Sequence, residues 1–184
     1  MNGQSFWLSP FPTVSEQPAA TLPPVKITGN IVRHSHALAI DYALCGTLAE
    51  LVIPEPAKPP SRKHDLWQTT CLEFFLAVPN SPQYWEFNLS TSGDWNVYRF
   101  AAYRQGMQEE SAFTTVPFRI QHQPEMLKLD LELDLEQIIR ADQPLEVAIT
   151  AVIQPKTGEL TYWALTHWTP QADFHQRDSF LIKL

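Results

Sequence analysis

Residues 65–100 read DLWQTTCLEFFLAVPNSPQYWEFNLSTSGDWNVYRF, and the reading of this stretch decides the fold. Turn-forming residues stand at Pro79-Asn80-Ser81-Pro82 and at Ser92-Gly93-Asp94 and cut it into three short strands. Between the turns apolar and polar side chains alternate, as in strands with one face buried. Leu72, Phe74, Leu76 and Val78 fall on one face and Glu73 on the other. In the next strand Trp85, Phe87 and Leu89 share a face, which leaves Tyr84, Glu86 and Asn88 together on the opposite one. An aromatic ring, a carboxylate and an amide on one open sheet face can hydrogen-bond hydroxyls and cover an apolar ring edge. The expectation is an all-β, antiparallel β-sandwich whose polar sheet face binds a small ligand, a sugar first among the candidates.

Toward the N-terminus, Phe6 to Phe11 is apolar and proline-punctuated, which suits an edge strand. Thr13 to Pro24 reads as a polar surface connection. Val25 to Arg33 and Ala37 to Leu44 form a hairpin around His34-Ser35-His36. Residues 54–64, PEPAKPPSRKH, are a proline-rich basic loop, extended and not helical. Its Arg62, Lys63 and His64 either overhang a ligand or form a solvated charged surface.

Toward the C-terminus, Phe113 to Gln121 is a short strand interrupted by Pro117. Leu127, Leu129, Leu131 and Leu133 alternate with Lys128, Asp130, Glu132 and Asp134, the pattern of a strand with one wet face. Asp134 can cap one short helix that buries Leu135, Ile138 and Ile139. Leu145 to Ile153 is a nearly continuous apolar run, hence a central strand covered on both faces, and Leu160 to Thr166 returns beside it. Phe180 and Ile182 suggest a closing strand. Short strands with turn signals between them, throughout 1–184, describe a single sandwich domain.

The 184 residues carry a net charge of −7, which offers no electrostatic reason to hold nucleic acid or an anionic membrane. There is no apolar run long enough for a transmembrane helix and no secretory leader pattern at the start, so the expected compartment is the cytoplasm. In that compartment Cys45 and Cys71 are expected as reduced, buried thiols.

No nucleophile elbow, phosphate loop, dinucleotide fingerprint or metalloprotease motif occurs. The argument for function therefore rests on aromatic and carboxylate placement. A flat indole covers the C–H face of a sugar while carboxylate and amide groups meet its hydroxyl rim. Trp67, Trp95, Trp163 and Trp168 fall near strand ends or loops, whereas Trp7 and Trp85 read as core. His167, Asp173, His175, Arg177 and Asp178 form the most enzyme-like cluster, read either as hydrogen bonds that pin a loop or as a hydrolase or metal site. Glu73 and Glu86 on neighbouring strands have the residue types of a glycosidase pair. A cytoplasmic sensor or protein-interaction domain using the same face is the further alternative.

The Trp67-to-Glu73 spacing, followed by Tyr84-Trp85-Glu86-Phe87-Asn88, resembles the family 9 carbohydrate-binding modules and the wider DOMON-like ligand-binding domains. The ending, with Tyr162-Trp163-Ala164-Leu165, Asp173-Phe174-His175 and Asp178-Ser179-Phe180, is similar to a group of small bacterial and cyanobacterial DOMON-like proteins. The resemblance runs from about Asp41 onward and implies a sandwich that binds ligands without turning them over. In the carbohydrate-binding relatives two tryptophans sandwich a terminal sugar, and Glu, Asn and Arg hydrogen-bond its hydroxyls. Carried over by position, Trp67 resembles the first stacking residue, Glu73 the carboxylate after it and Arg99, more loosely, the arginine; Trp163 or Trp168 stands for the second tryptophan. Some relatives hold calcium, for which Asp173 offers a carboxylate. Others hold haem through Met and His, but Met1, Met107 and Met126 form no defensible pair with a histidine, so no cofactor is expected. The expected ligand-binding set is Trp67, Glu73, Tyr84, Glu86, Asn88, Arg99, Trp163, His167, Asp173 and His175, with no catalytic residue and no metal.

Overall fold

The computed structural model describes residues 2–12 and 22–184, so most of the connection expected over Thr13 to Pro24 lies outside the described residues. The strands, in chain order, are β1 (Asn2–Pro10), β2 (Val25–His34), β3 (Ala37–Gly46), β4 (Cys71–Ala77), β5 (Tyr84–Ser90), β6 (Trp95–Phe100), β7 (Gln108–Glu109), β8 (Phe118–Gln123), β9 (Met126–Asp134), β10 (Glu146–Ile153), β11 (Thr161–Ala164) and β12 (Ile182–Lys183). One layer runs β1-β2-β3-β9-β8 and the other β7-β6-β5-β4-β10-β11, with β12 beside the start of β10. All of these pairings are antiparallel. The outer strand β1 joins the layers: Asn2 to Leu8 pair with β2, then Ser9 and Pro10 pair with Ala164 and Trp163 of β11.

The inner faces supply one shared core. Leu38, Ile40, Leu44 and the β9 leucines come from the first layer, and Leu72, Phe74, Phe87, Val97 and Ile149 from the second. Phe74 and Phe87 stack with ring centroids 4.4 Å apart. Burying such side chains stabilises by roughly 1.5–3 kcal/mol each. Alternation in β2 and β9 follows this division residue by residue, buried then exposed. Gly29 marks a close approach: a Cβ there would lie 1.9 Å from the Asp41 carbonyl oxygen and 2.4 Å from Phe6 Cζ.

Four expectations are corrected. The segment after β9 is a single turn and not a helix. Asp134 does cap it, accepting the Glu136 N–H at 2.9 Å, and Ile138 and Ile139 both donate to the Leu135 carbonyl. The run is too short to propagate. Trp7 is not core; it is 72% exposed on β1. The basic loop is neither simply solvated nor part of the cavity lining: Arg62 forms a bridge to Trp95 and its guanidinium donates to Asn96 Oδ1 and to the carbonyls of Glu110 and Phe113. Lys63 meets Asp94 at 2.7 Å. Cys45 and Cys71 are free thiols on different layers; Cys71 is buried as expected, but Cys45, at the end of β3, is only half-buried.

The second layer is also the one that positions a site. Strands β4 and β5 are buried on both faces. Their outer face carries a second, smaller core of Phe75, Ala77, Tyr84, Tyr98, Phe100, Ala148 and Phe180, against which Trp67 and Phe174 pack. The face on which Tyr84, Glu86 and Asn88 stand is therefore not open to bulk water. The C-terminal tail and the loop after β6 cover part of it and leave a hollow.

Candidate functional site

The hollow is a cavity of about 480 Å³ on the outer face of the second layer, within the range of about 300–1,000 Å³ usual for small-molecule sites. Strand alternation builds its floor: Glu73 and Phe75 from β4, Glu86 from β5, Phe100 from β6 and Val152 from β10. Trp67, on the 3-10 turn Leu66–Gln68, leans on Tyr98 of β6 edge to face, centroids 5.8 Å apart. Tyr162 stands on β11 and meets Phe174 of the tail at 5.9 Å. With β5, β4 and β10 lying between β6 and β11, aromatic rings bound the floor from two sides. Arg104, Met107, Ala172 and His175 complete the wall.

Glu73 and Glu86 are 2% and 6% exposed. In the β4–β5 register Glu73 faces Asn88 and Phe75 faces Glu86, so the two acids are diagonal neighbours on one face. Burial and the nearby Glu86 carboxylate push Glu73 well above the ordinary carboxylate range. Burial likewise raises Glu86 to about 7, against the pull of the Asn88 amide and Arg104. Asn88 donates to Glu86 Oε1 at 2.8 Å. The contact from Thr150 to Glu73 Oε2 is long, 3.5 Å. Glu73 Oε1 and Asn88 Oδ1 are buried with no hydrogen-bond partner among the described residues.

The wall is held by one network. Arg104, in the left-handed region at φ 52°, gives its backbone N–H to Tyr84 Oη at 3.1 Å and its guanidinium to Asp173 Oδ1 at 2.8 Å. Asp173 also accepts from the Tyr103 hydroxyl and the His175 backbone N–H; these donors hold its carboxyl at about 2 despite burial. His175 Nδ1 lies 2.8 Å from Tyr84 Oη. The same oxygen thus bonds both the Arg104 backbone and the His175 ring. Burial and the Arg104 charge lower His175 to about 4, so it is neutral at pH 7. Its approach to Glu86 Oε2, 3.9 Å, is accordingly not an ion pair.

Of the expected residues, Trp67, Glu73, Glu86 and His175 line the cavity, while Tyr84, Asn88 and Asp173 support those that do. Three are elsewhere. Arg99 is exposed and bonds Gln108, because β6 turns Tyr98 and Phe100 and not Arg99 toward this face. Trp163 is 4% exposed in the inter-sheet core, its indole donating to Thr161 Oγ1. His167 contacts the Ser9 carbonyl oxygen at 2.9 Å, beside Phe11. Trp168 donates to the Asp178 carbonyl and does not line the cavity either. The tail cluster is thus dispersed: Arg177 pairs with Glu146 at 2.6 Å and donates to the Ser81 carbonyl. Among the described residues no group of three or more His, Cys, Asp or Glu is placed to hold a metal ion. The missed wall residues are Tyr162, Phe174, Arg104, Met107 and Ala172. For Tyr162 the signal was present, one position from Trp163, but a one-residue slip in strand register reverses the face.

No family model and no curated protein sequence matches the chain. Among solved structures, a Bacteroides uniformis protein proposed to bind carbohydrate aligns over 94% of this chain and 83% of its own, at 12% identity and a TM-score of 0.66. A family 9 carbohydrate-binding module from Caldicellulosiruptor kristjanssonii, solved with glucose and with cellotriose, aligns over 79% of the chain and 69% and 68% of its own. There the identities are 9% and 8% and the TM-scores 0.49 and 0.47. At such identities the likeness is one of fold: the chain is an all-β sandwich similar to the Bacteroides uniformis protein.

Proposed function

We propose that this chain is a non-catalytic carbohydrate-binding module that takes a small sugar, or the end of a longer one, into the cavity over β4 and β5. The observation that carries this reading is Glu73: it lines an aromatic-walled cavity, is almost wholly buried, and keeps one carboxyl oxygen without a partner. A buried polar atom left unpaired costs about 1–3 kcal/mol, and a ligand hydroxyl recovers that cost. Trp67 and Tyr162 offer faces for the C–H side of a pyranose. The fold neighbour from Bacteroides uniformis, itself proposed to bind carbohydrate, agrees with the reading. The chemistry present supports binding without turnover. Glu73 and Glu86 both tend to hold protons, Asp173 is engaged by Arg104, and His175 is engaged by Tyr84.

Titration calorimetry with glucose and cello-oligosaccharides tests this. Binding at millimolar or lower concentration is expected, weakened about tenfold or more in Trp67→Ala. Absence of heat for all of these sugars at tens of millimolar (roughly the weak limit of specific binding) overturns it.

A further inference from the structure

Among the described residues the cavity contains two acids and no free cation to match them. Arg104 is committed to Asp173 at 2.8 Å, and His175 is neutral with Nδ1 committed to Tyr84. What remains facing the cavity is Glu73, its Oε1 unpartnered, and Glu86, whose Oε1 alone is occupied by Asn88. Around them stand Trp67, Phe100, Tyr162 and Phe174, with Met107 at the wall. An indole or phenyl face attracts a cation, and a box of such rings over carboxylates is a way to hold an organic ammonium group.

Resting on the carbohydrate reading above, we infer that the site is selective for a ligand bearing a positively charged nitrogen, an amino sugar with a free amine, over its neutral counterpart. Two carboxyls crowded on one sheet face repel each other when ionised. A single ammonium between them removes that repulsion, gives each acid a charge-assisted hydrogen bond, and supplies the donor that Glu73 Oε1 lacks. A neutral hydroxyl supplies a donor too, but offers no charge to stabilise an ionised carboxylate, so the pair keeps its protons. Arg104, neutralised by Asp173, does not cancel the attraction.

Such binding has a proton signature. The titratable groups facing the pair are Cys71 on β4, Tyr98 on β6, Arg104 on the following loop and His175 on the tail, with Tyr84 on β5 and Tyr42 on β3, whose phenols burial raises and so keeps neutral at pH 6. At pH 6 the thiol and the Tyr98 phenol are neutral, Arg104 stays charged and His175 stays neutral, so the protons released belong to the Glu73–Glu86 pair. The carboxyl proton passes to buffer as the ligand ammonium takes its place.

Calorimetry at pH 6, in buffers of different ionisation enthalpy, compares glucosamine, glucose, N-acetylglucosamine and cyclohexylammonium. Glucosamine is expected to bind at least about tenfold more tightly than glucose or N-acetylglucosamine, releasing about one proton. Glu73→Gln, a near-isosteric mimic of the protonated acid, is expected to abolish both the preference for glucosamine and the proton release. Glucose binding as tightly as glucosamine, or glucosamine binding with no proton released, overturns the inference and leaves the carbohydrate reading standing. Cyclohexylammonium binding while every sugar fails upholds the cation site and overturns the carbohydrate reading. Failure of all four overturns both. The proton count is made on the unaltered protein, so a variant that fails to fold does not decide the matter.

Discussion

Tyr84 Oη and His175 Nδ1 lie 2.8 Å apart, and this bond fastens the C-terminal tail to the outer face of the second layer. The same oxygen accepts the Arg104 backbone N–H, so one hydroxyl ties the floor of the cavity to two parts of its wall. Phe100 stacks on the Tyr84 ring, centroids 4.8 Å apart, and Phe180 meets its edge. Tyr84→Phe keeps this packing and deletes the hydroxyl alone. It is expected to cost about 1–3 kcal/mol in urea unfolding, because a partly buried N–H and an imidazole nitrogen lose their partner. Amide exchange over residues 172–180 is expected to accelerate. Unchanged stability and exchange would show that packing alone holds the tail.

The acids on the floor set a pH dependence whose sign differs from that of the wall. Glu86 is raised from 4.5 to about 7, so the fold keeps its proton while the unfolded chain gives it up. Its contribution is complete below about 4.5 and is lost as pH rises through about 7. His175, lowered from 6.5 to about 4, runs the other way: its contribution is present above 6.5 and lost as pH falls through about 4. The two oppose each other over much of the same window, so the variant is needed to separate them. The stability of the parent relative to Glu86→Gln is expected to fall between pH 4.5 and 7, by up to about 3 kcal/mol. A difference that stays flat or grows with pH would contradict the assignment.

How far the sequence could be read depended on how local the signal was. The β9 leucines alternate with charges, so their face is decided within the strand. Trp67, Glu73 and Glu86 were legible because a spacing and an alternation both pointed at them. In β10, Val147 to Ile153 are buried on both faces, so the run carries no information about which side is which, and the neighbouring β11 inherits the ambiguity. That is how Trp163 stood in for Tyr162. Arg104 sits at positive φ in a loop without periodicity, and no local pattern announces it. The cover over Tyr84 comes from a residue 91 positions away, a contact that composition and periodicity do not encode.

The proline-rich loop illustrates a structural role that reads in sequence as surface charge. The Arg62 guanidinium lies 4.4 Å from the Trp95 ring centroid and donates to Asn96 Oδ1 at 2.8 Å and to the Glu110 carbonyl at 3.0 Å. Asn96 in turn donates to the Lys63 carbonyl and to Tyr98 Oη, the ring on which Trp67 leans. Arg62→Ala is expected to cost about 2–4 kcal/mol, since it leaves several acceptors unpaired. Arg62→Lys is expected to recover less than half, because an ammonium cannot reproduce the planar fork. Full recovery with lysine, in thermal unfolding, would mean that charge and not geometry matters here.

The two tryptophans nearest the carbohydrate argument are predicted to part company when mutated. Trp163 is buried between the layers, so Trp163→Ala is expected to lose about 3–5 kcal/mol. Trp67 is only half-buried on the outer face, and Trp67→Ala is expected to lose less than about 2 kcal/mol. Ligand affinity should order them the other way. Trp67→Ala and Tyr162→Ala are each expected to weaken glucose binding about tenfold or more, whereas the volume-sparing Trp163→Phe leaves affinity within about twofold once the protein is folded. Denaturant unfolding and calorimetry on the same preparations give both quantities. If Trp163→Phe reduced affinity more than Tyr162→Ala did, the ligand would have to reach the inter-sheet side of β11, and the outer cavity would not be the site.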